Sequence, residues 1–267
     1  MGAEGPVIEV RGLKAQFGEQ VILRGVSFAV TRGEVVVVAG GSGCGKSTLL
    51  KHMIGLYEPA AGSVLIDGVD IAQAREAELE RVRRRIGVLF QSGALLGSLT
   101  LLENVMLPLV GFTSLSRRGA ELVARLKLSL VGLSGYENHL PSELSGGMQK
   151  RAGLARAMAL DPQVLFFDEP SAGLDPVTSA ELDLLIKRIN RNLGTTMVIV
   201  SHELASIFEI AHRVILLDKK AKGIIAMGPP RELSEQSSDP RVVDFFHRRP
   251  ADAADAAELD ENGGMKA

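Results

Sequence analysis

A glycine-rich run near residue 40 carries the residue types that bind phosphate. Residues 40–48 read GGSGCGKST and match the pattern G-x-x-x-x-G-K-[ST]. Glycines let backbone N–H groups curl around a phosphate without a Cβ in the way, and the N-terminus of a following helix adds partial positive charge. We expect Lys46 to reach the β- and γ-phosphates of a nucleotide, and the Ser47 hydroxyl to ligate Mg²⁺. The residues predicted to bind the nucleotide here are Gly40, Gly41, Ser42, Gly43, Cys44, Gly45, Lys46, Ser47 and Thr48.

A second candidate site lies where an apolar run ends in two adjacent acids. Residues 165–169 read LFFDE, so Asp168 and Glu169 follow a buried-strand pattern. Asp168 is placed to hold Mg²⁺, and Glu169 is placed to polarise an attacking water as general base. An acidic turn at a strand end would be ordinary on its own. The prediction of nucleotide hydrolysis therefore depends on the phosphate-binding run upstream.

The composition is that of an ordinary globular domain. The chain has 267 residues, 46% of them hydrophobic, which suits one large α/β domain or a domain with an inserted subdomain. The net charge of −2 and the absence of Trp argue against nucleic-acid binding, and the arginines within residues 81–85 are interpreted as a solvated helix end. The single cysteine, Cys44, excludes an internal disulfide and fits a reducing cytoplasm. No run reaches the roughly 20 apolar residues of a membrane span, so we expect a cytoplasmic protein, free or docked to a partner.

Strand and helix patterns alternate along the chain, which is typical of a mostly parallel sheet covered by helices. Predicted strands cover residues 7–10, 26–30, 35–39, 64–67, 86–90, 164–168, 197–201, 214–218 and 223–227. Predicted helices cover residues 46–56, 76–85, 101–109, 117–131 and 179–193, and one more begins near Gly147. Helical patterns dominate residues 92–159, so this part is interpreted as an α-helical insertion between strand-rich halves.

The C-terminal part has a weaker pattern. We divide the chain into a domain over residues 1–235 and an extension over residues 236–267, whose small, acidic end is predicted to be disordered. Within the extension, residues 239–246 read DPRVVDFF and form a short amphipathic piece. Two interpretations remain open for it. The piece packs on its own domain, or it exposes Val242, Val243, Phe245 and Phe246 to a partner.

A third run, ELSGGMQKR at residues 143–151, makes a family resemblance plain. Together with the two runs above and in the same order, it resembles the ATP-binding-cassette (ABC) ATPases over residues 7–232. Met148 stands where glutamine is commoner in that family. In the family this signature motif contacts the γ-phosphate of the ATP held by the other subunit, so the resemblance implies a homodimer. Ser145, Gly146 and Gly147 would open a helix and add a second anion-binding N-terminus.

The resemblance implies further site residues and a fold. Gln91 matches the Q-loop glutamine, which contacts Mg²⁺ and the attacking water, and His202 matches the switch histidine that grips the γ-phosphate. Residues 171–175 match the D-loop. Phe17 lies where the family stacks an aromatic ring on adenine, with a core position as the alternative. The implied fold is an α/β P-loop NTPase core with a mostly parallel sheet, an N-terminal antiparallel β subdomain and the inserted α-helical subdomain.

The resemblance also assigns roles to these residues. ATP and Mg²⁺ are the implied cofactors. The implied catalytic residues are Lys46, Gln91, Glu169 and His202, and the implied metal ligands are Ser47, Gln91 and Asp168.

Three classes of protein use such an ATPase. Soluble ABC proteins of the ribosome carry two cassettes joined by a charged linker, and DNA-repair ATPases split the cassette with a long coiled coil. This chain has one copy of each motif, no such linker and no sustained heptads between the motifs. The sequence therefore predicts a transporter subunit that docks at the cytoplasmic face of the inner membrane on separate permease subunits.

Two local runs bear on the cargo. SGALL at residues 92–96 and MQKR at residues 148–151 resemble the MlaF-type ATPases of Mce-associated lipid transporters. That resemblance implies transport of phospholipid or another lipid, with an Mce-domain protein in the complex. Importers of small polar solutes such as amino acids share parts of these runs and remain the alternative. The transport direction and the presence of a small regulatory subunit stay open.

Overall fold

The computed structural model describes residues 5–248. Its strands are β1 (Ile8–Phe17), β2 (Gln20–Val30), β3 (Val35–Gly40), β4 (Ala61–Ile66), β5 (Val69–Asp70), β6 (Ile86–Leu89), β7 (Val164–Asp168), β8 (Thr196–Val200), β9 (Arg213–Asp218) and β10 (Gly223–Gly228). Its helices are α1 (Lys46–Met53), α2 (Glu76–Arg85), α3 (Leu101–Phe112), α4 (Arg117–Leu130), α5 (Gly146–Ala157), α6 (Pro176–Leu193), α7 (Leu204–Ile210), α8 (Pro230–Gln236) and α9 (Pro240–His247). Each predicted strand and helix has a counterpart. The short elements β5, α7 and α8 were not predicted.

The larger sheet is mostly parallel, as predicted. Its strand order is β10-β9-β3-β8-β7-β6, and only β10 at one edge runs antiparallel to its neighbour. Every residue of β3, β7 and β8 is buried. Strands covered on both faces must be apolar throughout, which explains the continuous runs VVVVA and VLFF. The carboxyl ends of β3 and β7 consequently meet at one edge of the sheet.

The N-terminal strands form a second, antiparallel sheet with the order β2-β1-β4-β5. Its first two strands span ten and eleven residues, so the short strands predicted there were wrong in length. The pairing of β1 with β2 shifts register between Val10 and Leu13. Such a bulge breaks the alternation of buried and exposed residues. The sequence pattern therefore ended the first strand too early.

Helices α3, α4 and α5 lie between β6 and β7 and pack on one another through Leu101, Leu128 and Leu154, all fully buried. Helix α3 begins with a capping box, in which Thr100 and Glu103 exchange hydrogen bonds. The buried Asn104 accepts from the N–H of Leu96 and donates to three carbonyls of the preceding loop. The loop between β6 and α3 is thereby held in a defined conformation.

The amphipathic piece of the C-terminal extension is helix α9, which packs back on its own chain. Val242 and Phe246 are buried, and the ring of Phe246 lies 5.7 Å from that of Phe208. Val243 and Phe245 are half-buried. The partner-facing interpretation was therefore wrong for Val242 and Phe246. The acidic end beyond residue 248 lies outside the described residues, and its disorder stays a prediction.

Within residues 5–248, no helix has both the length and the apolar character needed to cross a bilayer.

Candidate active site

The predicted phosphate-binding run forms the turn from β3 into α1. Gly40 has φ 144° and Gly45 has φ 103°, conformations that side chains with a Cβ rarely adopt. A Cβ on Gly40 would lie 2.3 Å from the carbonyl oxygen of Leu217, and one on Gly45 would lie 2.9 Å from Leu23. These two glycines are therefore required by both the backbone conformation and the close packing of the loop.

A cavity of about 660 Å³ opens in front of this loop. Lys46 is the first residue of α1, and its buried ammonium donates to the carbonyls of Gly40 at 2.9 Å and Gly41 at 3.0 Å. The lining combines most of the loop with side chains from distant parts of the chain: Ile22, Gly40, Gly41, Ser42, Gly43, Gly45, Lys46, Ser47, Thr48, Glu169, His202 and Phe245. Backbone N–H groups, a lysine and a helix N-terminus make the cavity suited to an anion.

Ser47, which lines the cavity, contacts Asp168, which lies outside the lining. Ser47 Oγ donates to Asp168 Oδ1 at 2.9 Å, and Asp168 ends β7 in a buried position. A hydroxyl and a carboxylate are hard oxygen donors, and Mg²⁺ commonly takes one or two protein oxygens together with phosphate oxygens and water. This pair fits the predicted magnesium site.

Glu169 enters the cavity from a strained backbone position. Its φ of 47° lies in the left-handed region, which costs roughly 1–2 kcal/mol for a residue with a Cβ. Its N–H donates to Val200 O at 3.0 Å, and this bond holds the turn against β8. Strain of this kind clusters at functional sites. The turn directs the carboxylate to the cavity, where Oε1 lies 3.2 Å from Nδ1 of His202.

Besides Asp168, three other residues predicted for this chain's own site lie outside the cavity lining. The Gln91 side chain is exposed, and the backbone oxygen of this residue accepts from Lys150. Phe17 is 47% exposed with its ring edge-to-face on Tyr57 at 5.4 Å, which excludes the core alternative. Cys44 is only 1% exposed and turns its side chain into the core. Any contact of Cys44 with a nucleotide must therefore come from its backbone.

The signature residues also lie outside this chain's cavity. Ser145 caps α5 by accepting from the N–H of Met148 at 3.3 Å, so the helix begins at Gly146 as the motif predicts. A Cβ on Gly147 would lie 2.4 Å from Thr178, which shows how closely α5 approaches α6. The exposed N-terminus of α5 is consequently available to a group outside this chain.

Sequence reasoning missed two lining residues, Ile22 and Phe245. Ile22 belongs to an ordinary strand pattern, and nothing in that pattern indicates a position in the cavity lining. Phe245 belongs to the amphipathic piece singled out above. Its place beside the phosphate-binding loop depends on how α9 folds back, which no local pattern encodes.

Comparison with known proteins agrees with this geometry. The model of the ABC transporter family matches residues 23–172. The chain is 44% identical to the "Probable ribonucleotide transport ATP-binding protein mkl" of Mycobacterium leprae, over 92% of this chain and 70% of that protein. It is 42% identical to the intermembrane phospholipid transport system ATP-binding protein MlaF of Haemophilus influenzae, over 90% of each chain. It is also 43% identical to the methionine import ATP-binding protein MetN of Brucella abortus, over 84% of this chain and 60% of that protein.

A solved structure resembles the whole cassette. This ATP-binding cassette, a dimer in a post-hydrolysis state with ADP and phosphate, superposes with a TM-score of 0.75 and 32% identity, covering 83% of this chain and 98% of that one. Sequence match and fold thus agree over most of the chain. The chain belongs to the ABC transporter family and is an ATP-binding, ATP-hydrolysing subunit of that family.

Proposed function

We propose that this ATPase powers the transport of phospholipid across a bacterial envelope through separate permease subunits. The observation that carries the proposal is the 42% identity to the phospholipid transport protein MlaF, which extends over 90% of both chains. The runs SGALL and MQKR, singled out from the sequence, support the same cargo. The Mycobacterium relative carries a ribonucleotide transport name, and the methionine importer is the competing relative.

The phosphate-binding loop, Glu169 and His202 have proposed roles in hydrolysis. Lys46 and the loop N–H groups bind the β- and γ-phosphates, and Glu169 accepts a proton from the attacking water. Because the Glu169 carboxylate can only accept a hydrogen bond, Nδ1 of His202 must be the protonated nitrogen in their contact. Nε2 of His202 could donate to the γ-phosphate only when it also carries a proton, in the imidazolium form.

Mg²⁺ would be held by Ser47 and Asp168, with Gln91 as the third predicted ligand. When bound, the cation neutralises the charge that develops on the phosphate oxygens. Phe17, exposed beside Tyr57, is proposed to stack on the adenine ring, since an aromatic face at the surface offers an apolar platform.

We propose that the working unit is a homodimer. Ser145, Gly146 and Gly147 lie outside the cavity of their own chain, and the α5 N-terminus that they form suits an anion. A second copy would bring this terminus to the γ-phosphate. Each active site would then consist of the cavity of one protomer and the signature helix of its partner.

Docking on permease subunits at the cytoplasmic face of the inner membrane is supported by the helical part of the chain. Several apolar side chains of α3 and α4 are exposed there, with Val110 and Leu122 both at 63%. Exposed apolar patches mark interaction sites. The residues in question are Leu107, Val110, Leu122, Leu126 and Leu130. An Mce-domain protein is proposed as a further component of the complex.

The cargo can be tested on the complex purified with its native membrane partners. Mass spectrometry of extracted lipid should find phospholipid in excess over a Glu169→Gln complex washed with detergent in the same way. ATP turnover in liposomes should rise with phospholipid presented to the complex and not with methionine or other amino acids. Turnover that responds to an amino acid and is independent of lipid would favour the importer alternative.

A further inference from the structure

A buried lysine of α5 connects the signature helix to the loop after β6. Lys150 is 6% exposed, and its ammonium donates to the backbone oxygen of Gln91. Six residues later in the same helix, Arg156 donates to the carbonyls of Ala94 at 2.7 Å and Gly93 at 3.1 Å. The side chains of Lys150 and Arg156 thus bind three carbonyls of the loop that contains Gln91, a predicted Mg²⁺ ligand.

The loop contains one strained residue. Gly93 has φ 72°, which glycine adopts freely, whereas Ala94 has φ 50°, a left-handed conformation that is costly for a residue with a Cβ. The loop also lies directly against the helix, since a Cβ on Gly153 would lie 2.9 Å from Gly93 O. A displacement of the loop would therefore displace α5, and a displacement of α5 would displace the loop.

The same ammonium lies in the electric field of the acids at the active site. Burial lowers the pKa of Lys150, and the negative charges of Glu169 and Asp168 oppose that shift. Lys150 itself stays outside the cavity lining. Its connection to the active site is its hydrogen bond to the backbone of Gln91.

We propose that Lys150 is a positioning residue that aligns the signature helix with the Gln91 loop of its own protomer. The alignment sets the direction in which Ser145 presents the α5 N-terminus to the nucleotide of a second copy. The inference rests on the proposed homodimer. Lys150 then couples the two active sites, and its charge matters for turnover rather than for the first binding of ATP.

The test compares three variants of the full chain. Lys150→Met removes the charge and the donor, and Lys150→Arg keeps both. Lys127→Met is the matched control, because Lys127 is a 4% exposed lysine that pairs with Asp161 Oδ1 at 2.5 Å and lies outside the cavity lining. ATP turnover, its Hill coefficient, the Kd of a fluorescent ATP analogue on dilute monomer and the Tm are measured for each.

We expect Lys150→Met to lower kcat roughly ten- to hundredfold, as loss of a buried charged hydrogen bond would, and to bring the Hill coefficient close to one. The Kd of the monomer should change less than about twofold, Lys150→Arg should restore most of kcat, and Lys127→Met should keep kcat even where its Tm falls. If Lys150→Met does not fold, Lys150→Gln replaces it.

Equal kcat and Hill coefficient in wild type and Lys150→Met would overturn the role of Lys150 and leave the proposed function intact. A loss of kcat that follows the fall in Tm and is not restored by arginine would overturn it as well, since that pattern is structural. A wild-type chain that shows ATP turnover without any dependence on dimer formation would contradict both the homodimer and the inference.

Discussion

The Ser47 hydroxyl donates a 2.9 Å hydrogen bond to a carboxylate oxygen of Asp168, although the two residues are 121 positions apart in the sequence. Strand β8 lies between β3 and β7 in the sheet and pairs in parallel with both, so the carboxyl ends of β3 and β7 lie at the same edge. The contact joins the phosphate-binding loop to the acidic pair. It leaves a buried carboxylate whose negative charge a divalent cation would complement.

Replacing Asp168 by Asn should therefore remove the Mg²⁺ dependence of ATP binding. The amide keeps the size of the side chain and can still accept from Ser47, but it carries no charge for the cation. We expect ATP to bind with the same Kd with and without Mg²⁺, and turnover to fall about a hundredfold or more. Isothermal titration in the presence and absence of Mg²⁺ measures this.

The exposed Asp161, changed to Asn, is the control for that titration, because its side chain is 76% exposed and lies outside the cavity lining. An Asp168→Asn chain whose ATP affinity still rises with Mg²⁺ would show that other residues hold the metal.

Glu169→Gln should separate binding from hydrolysis. The amide retains the hydrogen-bonding size of the carboxylate but cannot accept a proton from water, so kcat should fall about 10²- to 10⁴-fold. ATP binding should persist, and ATP-bound dimers should accumulate because they are not consumed. Steady-state turnover measures the loss of kcat, and light scattering with ATP and Mg²⁺ measures the accumulation of dimers. Near-normal hydrolysis, or no dimer at any ATP concentration, would each contradict the assigned base.

Much of this site could be predicted because its residues stand in contiguous runs. The glycines, Lys46 and Ser47 follow one another, and the loop needs glycine where a Cβ on Gly40 would meet a carbonyl at 2.3 Å. Asp168 and Glu169 follow a strand that is buried on both faces, which makes that strand easy to recognise.

The remaining features depend on contacts between distant segments. The bulge after Val10 hid the true length of the first hairpin, and only folding of α9 onto α7 places Phe245 at the cavity. Lys150, in one of the two runs that suggested the cargo, donates to Gln91, the residue directly before the other run, although the sequence presented the two runs as unrelated. Such contacts are set by tertiary packing and leave no hydrophobic periodicity in the local sequence.

The thiol of Cys44 should react slowly in the folded chain. It is buried, and burial raises the pKa of the thiol, so little thiolate is present at neutral pH. Since the chain contains one cysteine, labelling by iodoacetamide reports on this site alone. We expect labelling in native buffer to be at least about a hundredfold slower than in urea, as global or local opening must come first.

A chain that is alkylated in urea and refolded should fail to bind ATP. A Cβ on Gly40 would lie 2.7 Å from the sulfur, so no space is left for an added group without moving the loop. Cys44→Ala, which fits the space, is the control and should bind ATP normally. Normal ATP binding by a fully alkylated sample would show that the loop tolerates the group.

Asp183→Asn should stabilise the chain at neutral pH. Asp183 lies on α6 and is buried; it accepts from the Ser206 hydroxyl at 2.7 Å, while its Oδ1 has no hydrogen-bond partner among the described residues. Burial raises the pKa of Asp183 to about 6, the Ser206 hydrogen bond opposes this, and the negative charges of Glu203 and Glu209 add to it.

The folded chain therefore holds this proton up to about pH 6, whereas the unfolded chain releases it near pH 4. Between these values the folded state binds more protons, so the contribution of Asp183 to the free energy of unfolding is complete at low pH and falls as pH rises through the window. The full loss is roughly 3 kcal/mol for a shift of about two pKa units. An asparagine at this position does not titrate, so the Asp183→Asn chain should not lose this free energy of unfolding as pH rises.

Urea denaturation from pH 4.5 to pH 7.5 measures the free energy of unfolding of the Asp183→Asn chain and of the wild type. The two values should be similar at the acidic end, and their difference should grow as pH rises and become constant above about pH 6.5. Ser206→Ala removes the hydrogen bond that lowers the pKa of Asp183, so the stability of that variant should fall with pH over a window shifted upward. Because His202 of the cavity lining lies between α6 and α7 in the chain, ATP binding is measured alongside and should be unchanged at pH 7.5. Parallel stability curves for wild type and Asp183→Asn would mean that the buried carboxylate is already solvated or paired in the folded chain, and the proton uptake on folding inferred for it would be wrong.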